Sequence, residues 1–229
     1  MHIILLALLG ILLVFGPQFW AQHVLRRYGK HQDHFPGTGG ELARHLLDRQ
    51  GLLSVRVEQT DSGDHYDPLE KCVRLTPSNL NGKSLTAVAV AAHEVGHAIQ
   101  DHTDYGPLKM RTHLVQIAQR TEKIASGAML LLPVVVALAR SPSAGFALFL
   151  VGFVGFAGFA LSTLVHLVTL PVEWDASFGR ALPLLRNHIS QQEERAARRI
   201  LRACAFTYVA GSLASLFNLW RWITVLWRK

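Results

Sequence analysis

The sequence predicts a mainly helical, polytopic membrane protein whose polar segments form a smaller α+β part with a short hairpin or sheet. Three observations carry this expectation. Half of the 229 residues are hydrophobic and only 17% are charged. The apolar residues gather into four blocks instead of spreading along the chain. Between the blocks, helical periodicity and two short β-prone runs mark segments able to fold outside a bilayer.

The first block, Ile3 to Trp20, is uncharged and, at about 1.5 Å per helical residue, long enough to cross a hydrocarbon core of about 30 Å. No Lys or Arg precedes it and no small-x-small cleavage site follows, which favours an anchor over a cleaved signal peptide. Ile124 to Ala139 is shorter and flanked by Lys123 and Arg140, whose long stems can reach the interface. Ala144 to Leu170 carries no acid or base except His166, and its Gly152, Gly155, Gly158 and Ser162 offer a face for close helix packing. The last block runs from near Ala203 to about Trp220, with Trp220, Trp222 and Trp227 as an interfacial belt. About four transmembrane or membrane-associated helices are therefore expected. They divide the chain into an anchor at 1–20, a polar part at 21–123, a transmembrane hairpin at 124–170, a second polar segment at 171–202 and a transmembrane or re-entrant helix at 203–229.

Basic residues near the spans set the expected orientation. Arg26, Arg27 and Lys30 follow the first block, Lys109, Arg111, Arg120 and Lys123 precede the second, and Arg195, Arg198, Arg199 and Arg202 precede the last. Both polar segments then face the cytoplasm, in a multi-pass membrane protein. Arg221, Arg228 and Lys229 oppose this unless the last helix is re-entrant or lies on the surface. The net charge of +7 does not indicate nucleic acid, because the basic residues flank apolar blocks and are not interleaved with stacking aromatics. Cys72 and Cys204 are far apart in sequence, and a cytoplasmic location keeps both reduced.

In the first polar part, Thr38-Gly39-Gly40-Glu41 fits a capping box opening a helix through Leu42, Leu46 and Leu47 to Gly51. Ser54 to Gln59 and Lys71 to Thr76 read as a strand pair around the turn-rich Asp61-Ser62-Gly63-Asp64 and Asp67-Pro68. A helix is then expected from about Ser84, a plausible N-cap, to Gln100. In the second polar segment, Gln191 to Arg202 reads as a basic amphipathic helix suited to water or to anionic lipid.

The Ser84–Gln100 helix carries His93-Glu94-Val95-Gly96-His97. Residues four apart differ by about 40° in direction, so His93 and His97 project from one face and can meet one metal ion, zinc being the best suited. Glu94 stands about 100° round from His93, where a general base can take a proton from activated water. Gly96 weakens the helix by about 1 kcal/mol relative to Ala, a sign that another backbone or a substrate comes close.

A catalytic zinc takes three protein ligands and keeps one position open. His102 comes one residue too early for the H-E-x-x-H-x-x-G-x-x-H pattern, and the glycine of that pattern is absent. Glu173 lies after two predicted crossings from His97, an even number, so it returns to the same membrane face and can complete a His-His-Glu site.

Three stretches, His93 to Gln100, Asp64-His65-Tyr66-Asp67-Pro68, and Leu170-Pro171-Val172-Glu173-Trp174-Asp175-Ala176-Ser177, together resemble the bacterial membrane-bound neutral zinc metallopeptidases of the YugP type. The resemblance spans roughly Tyr28 to Trp220. It implies a zincin-like, glutamate-liganded peptidase in the bacterial plasma membrane, with His93, His97 and Glu173 as zinc ligands and Glu94 as the catalytic residue. More distantly, Glu173 to Ser177 is similar to the E-x-x-A-D element of HtpX-type and prenyl-protein proteases. Ser177 stands where that element has Asp, which leaves Asp175 as the candidate to orient a ligating histidine.

On this reading the protein is a metalloendopeptidase acting at the cytoplasmic membrane face on protein or peptide substrates, membrane proteins among them. Zincin peptidases hold extended substrates against a sheet edge, which gives the strand pair a role and makes His65 and Tyr66 candidates to stabilise the oxyanion. The competing reading is a non-catalytic membrane adaptor with a structural zinc site. A transporter is disfavoured by the shortage of ionisable residues in the blocks.

Overall fold

The computed structural model describes residues 2–121 and 164–206, with residues 146, 153, 158 and 161 between them, and side chains from Phe15 onward. Helix α1 (His2–Tyr28) leads to α2 (Gly39–Arg49), strands β1 (Arg56–Gln59), β2 (His65–Asp67) and β3 (Cys72–Leu75), the short α3 (Pro77–Leu80) and the long α4 (Leu85–His102). Helix α5 covers 106–121 and α6 covers 164–174. A π-helical segment, Asp175–Ala181, passes directly into α7 (Leu182–Leu185), and α8 covers 191–206.

The capping box is formed as expected. Thr38 Oγ1 accepts from Glu41 N at 3.2 Å and Glu41 Oε2 accepts from Thr38 N at 2.8 Å, a cap that contributes about 1 kcal/mol. Helix α2 ends at Gln50, and Gly51 supplies the left-handed conformation after it, with φ 73°. Ser84 caps α4 by accepting from Ala87 N at 3.1 Å.

The sheet differs from the expected strand pair. Its order is β1-β3-β2. β1 lies parallel to β3, pairing Arg56 with Cys72 and Gln59 with Leu75, and β2 lies antiparallel on the other edge of β3, pairing His65 with Arg74. A parallel pair needs a crossover of about a dozen residues, and residues 60–71 provide it, with β2 embedded there. The region read as turn therefore contains the third strand, three residues long and too short for a clear alternating pattern.

Helix α4 is the centre of the packing. From Leu85 to Ala98 every residue is buried, with α2 on one side, the sheet on another and the π-helical segment across from it. Leu46, Leu47, Val73, Leu75 and Val95 fill the core at 2% exposure or less, each contributing roughly 1.5–3 kcal/mol of burial.

Among the described residues no helix is long and apolar enough to cross a membrane, which corrects the expected polytopic architecture and its transmembrane helices. The molecule is a mostly helical protein with a small three-stranded mixed sheet. The most apolar fully described helix, α4, is sheathed in protein and carries His93, Glu94 and His97. The described side chains of α1 include Gln18, Gln22, His23, Arg26 and Arg27. Ala21 and Val24 of α1 are buried in the core, and Leu25 O accepts from Thr86 Oγ1 at 2.8 Å. The apolar blocks at 124–139 and from 207 onward lie outside the described residues, as does most of 144–163.

At Gly96, a Cβ built on the backbone would lie 2.7 Å from Ala176 O, so the close backbone approach expected there is real. Gly96→Ala should therefore lower the thermal midpoint, because overpacking of about 1–3 kcal/mol outweighs a helix-propensity gain of about 1 kcal/mol. A calorimetric melt checks this, and a raised midpoint would show that α4 and the π-helical segment separate freely.

Candidate metal centre

His93 and His97, one turn apart on α4, present their rings edge to face with centroids 4.7 Å apart. Glu173, near the end of α6, has no exposed surface. Its Oε2 lies 3.1 Å from His93 Nε2 and 3.4 Å from His97 Nε2. The three residues are all buried, offer ligand atoms within 4.8 Å of one another, and form a group that could hold a metal ion. This contact joins two positions separated by 80 in sequence.

The outer nitrogens of both rings are held. Gln100 Nε2 donates to Val172 O at 2.8 Å and to Asp175 Oδ2 at 2.9 Å. This fixes the amide so that Oε1 faces His97 Nδ1 at 2.9 Å, and His97 Nδ1–H must donate. Ser177 Oγ donates its single proton to Leu201 O at 3.2 Å and thus accepts from His93 Nδ1–H at 3.1 Å. The network assigns the same tautomer to both neutral rings, with the Nε2 lone pairs turned toward Glu173. The π-helical turn brings residues five apart together, and Arg180 Nε donates to Asp175 Oδ2 at 2.8 Å, fixing the acid that holds Gln100.

Two lone pairs and a carboxylate oxygen facing one another in a buried space repel unless a cation lies among them. In a tetrahedral zinc site with bonds of about 2.0–2.1 Å, neighbouring ligand atoms are about 3.3–3.4 Å apart, close to the spacings found here. The donor set and its burial fit zinc. At Glu173, burial alone would raise the carboxyl, but the proximity of His97 and His93 outweighs it and holds the group well below the usual range.

The profile of a family described as "Putative neutral zinc metallopeptidase" matches residues 3–227. The chain belongs to this family. It is 36% identical over 222 residues, 92% of each chain, to the protein named "Putative membrane protease YugP" of Bacillus subtilis (strain 168). No solved structure matches. The family description names zinc, in agreement with the donors present.

Glu94 opens with both histidines onto a cavity of about 190 Å³. Burial pushes its carboxyl up to about 7; the nearby His93 pulls the other way and Glu173 adds to the rise. Asp64, His65 and Tyr66 reach the same cavity, and each is anchored. Asp64 accepts from Thr76 N at 2.7 Å and from Asn79 Nδ2 at 2.8 Å. His65 Nδ1–H donates to Gly63 O at 2.8 Å, leaving Nε2 as the free position of the ring. The Tyr66 hydroxyl donates to Asp101 Oδ2 at 2.6 Å. Asp175 does not touch a histidine; it acts on His97 through Gln100.

Sequence reasoning missed Gln100, Ser177 and Arg111 as parts of the site. The signals were present for two of them: Gln100 is three residues after His97 and Ser177 four after Glu173, spacings that share a helix face. Arg111 on α5 places Nη1 3.5 Å from Glu173 Oε1, and only the tertiary fold brings it there. Gln100→Ala and Ser177→Ala should each weaken zinc binding by about 10–100-fold in competition with a chromophoric chelator, with helix content by circular dichroism retained. Undiminished affinity in both would mean that the rings are oriented without these contacts.

Proposed function

We propose that the protein is a zinc-dependent metalloendopeptidase in which His93, His97 and Glu173 hold the metal and Glu94 is the general base. The observation that carries this reading is the convergence of three buried donors beside a fourth, carboxylate-bearing residue that opens onto the same cavity. Bound there, zinc would supply Lewis-acid activation of water and of a scissile carbonyl.

The chain's own residues supply the remainder. Glu94, held by the helix next to His93, takes a proton from the attacking water and delivers it to the amide nitrogen as the C–N bond breaks. Gln100 and Ser177 keep the imidazoles directed inward. Arg111 faces Glu173 Oε1, leaving Oε2 toward the histidines. His65 on the cavity wall is a candidate to steady the developing oxyanion when its Nε2 carries a proton. Substrates are proteins or peptides. The name of the Bacillus relative supports action at a membrane.

The rival, a non-catalytic adaptor with a structural zinc, calls for a site closed by four protein ligands and rich in cysteine. The group found among the described residues has three members and no cysteine. Glu94→Gln should retain stoichiometric zinc and lose about 10²–10⁴-fold of peptidase activity, whereas Glu173→Ala should lose the metal. Metal analysis and a quenched-peptide assay on the same preparations check both. Full activity in Glu94→Gln would refute the general base, and full zinc in Glu173→Ala would refute the third ligand. Removing zinc with a chelator should lower the thermal midpoint, and readdition should restore it in proportion to free zinc.

A further inference from the structure

We infer that the catalytic cavity continues past Tyr66 and Arg111 into a second hollow, which serves as a specificity pocket for one uncharged aliphatic side chain next to the bond cleaved; the inference rests on the peptidase reading. The two cavities, of about 190 and 180 Å³, share Tyr66, His97 and Arg111. The second lies between the turn after β2 and helix α5. It is smaller than the roughly 300 Å³ at which pockets begin to house whole small ligands, and it suits a single side chain.

Its apolar wall comes from Leu108, which is buried, and from Pro68 and Val115. Leu69 also lines it yet is 70% exposed, an apolar surface that an entering side chain would cover. Among the described residues, the charged groups on its walls are Asp67 and Arg111. The Asp67 carboxylate already accepts from Arg74 Nη1 at 2.6 Å, Leu69 N at 2.9 Å and Glu70 N at 3.1 Å. A cationic side chain would therefore meet the Arg111 guanidinium and find the nearby carboxylate engaged. An acidic one would have to leave water for apolar walls beside an arginine that already faces Glu173. A leucine or methionine side chain meets neither cost.

The test uses the full-length, zinc-loaded protein and a library of short peptides, with cut bonds read by mass spectrometry. Leucine and methionine should be favoured over lysine and arginine by about tenfold or more on one side of the cut, the size of effect a hydrophobic pocket gives. Val115→Trp, which fills the hollow, should erase the preference for leucine over alanine. Leu69→Asp, at an exposed position where folding is not at stake, should shift the preference toward lysine. No preference, a preference for acidic residues, or an unchanged profile in both variants overturns the inference. The same peptides are also titrated into zinc-loaded Glu94→Gln by fluorescence anisotropy. Tighter binding of leucine than lysine peptides, lost when Val115→Trp is added, upholds the pocket even if the wild type cuts nothing, a result that removes the peptidase reading alone. Equal binding of the two peptides, or none, overturns the pocket.

Discussion

The Glu173 carboxylate is fully buried and points one oxygen at two imidazole nitrogens, 3.1 and 3.4 Å away. A charge so placed costs several kcal/mol of desolvation unless it is paired. The rest of the fold can be understood as the means of pairing it. Helix α4 supplies two nitrogens at one-turn spacing, α5 brings Arg111 to the other oxygen, and Gln100 and Ser177 fix the rings so that their lone pairs face inward. Such an array of acceptors is stable around a cation, and the family to which the chain belongs makes that cation zinc.

Backbone geometry makes the meeting possible. The bare Cα of Gly96 lets Ala176 O approach α4 more closely than any side chain would allow. The π-helical stretch that begins at Asp175 then carries Ser177 to His93 and turns Asp175 toward both Gln100 and Arg180. π-helical turns are rare and concentrate at functional sites. Here the wider turn aligns Ser177 with His93 and Asp175 with Gln100, against the buried wall of α4.

The parts of the molecule governed by local rules were legible in the sequence. The capping box at Thr38, the N-cap at Ser84, the histidine pair and the close approach at Gly96 each follow from residues within a few positions of one another. Glu173 was expected near the histidines from its place after the third apolar block and from the family resemblance, and the structure brings its Oε2 to 3.1 and 3.4 Å from their Nε2 atoms. What could not be read depended on tertiary packing. The parallel pairing of β1 with β3 needs a crossover that hides a three-residue strand, and Arg111 reaches the site from a separate helix. Apolarity does not by itself mean membrane spanning: helix α4 is apolar along most of its length and is sheathed by protein, because a buried core helix and a bilayer-crossing one share the same composition over short lengths.

One measurement bears most directly on the central claim: X-ray absorption at the zinc edge of the purified, zinc-loaded protein. The account predicts two imidazole nitrogens and a carboxylate oxygen at about 2.0–2.2 Å, with one further light-atom position and no sulfur. In Glu173→Ala the protein-derived oxygen should disappear together with most of the bound metal. A sulfur shell at about 2.3 Å, or an unchanged spectrum in the Glu173→Ala protein, would contradict the assignment.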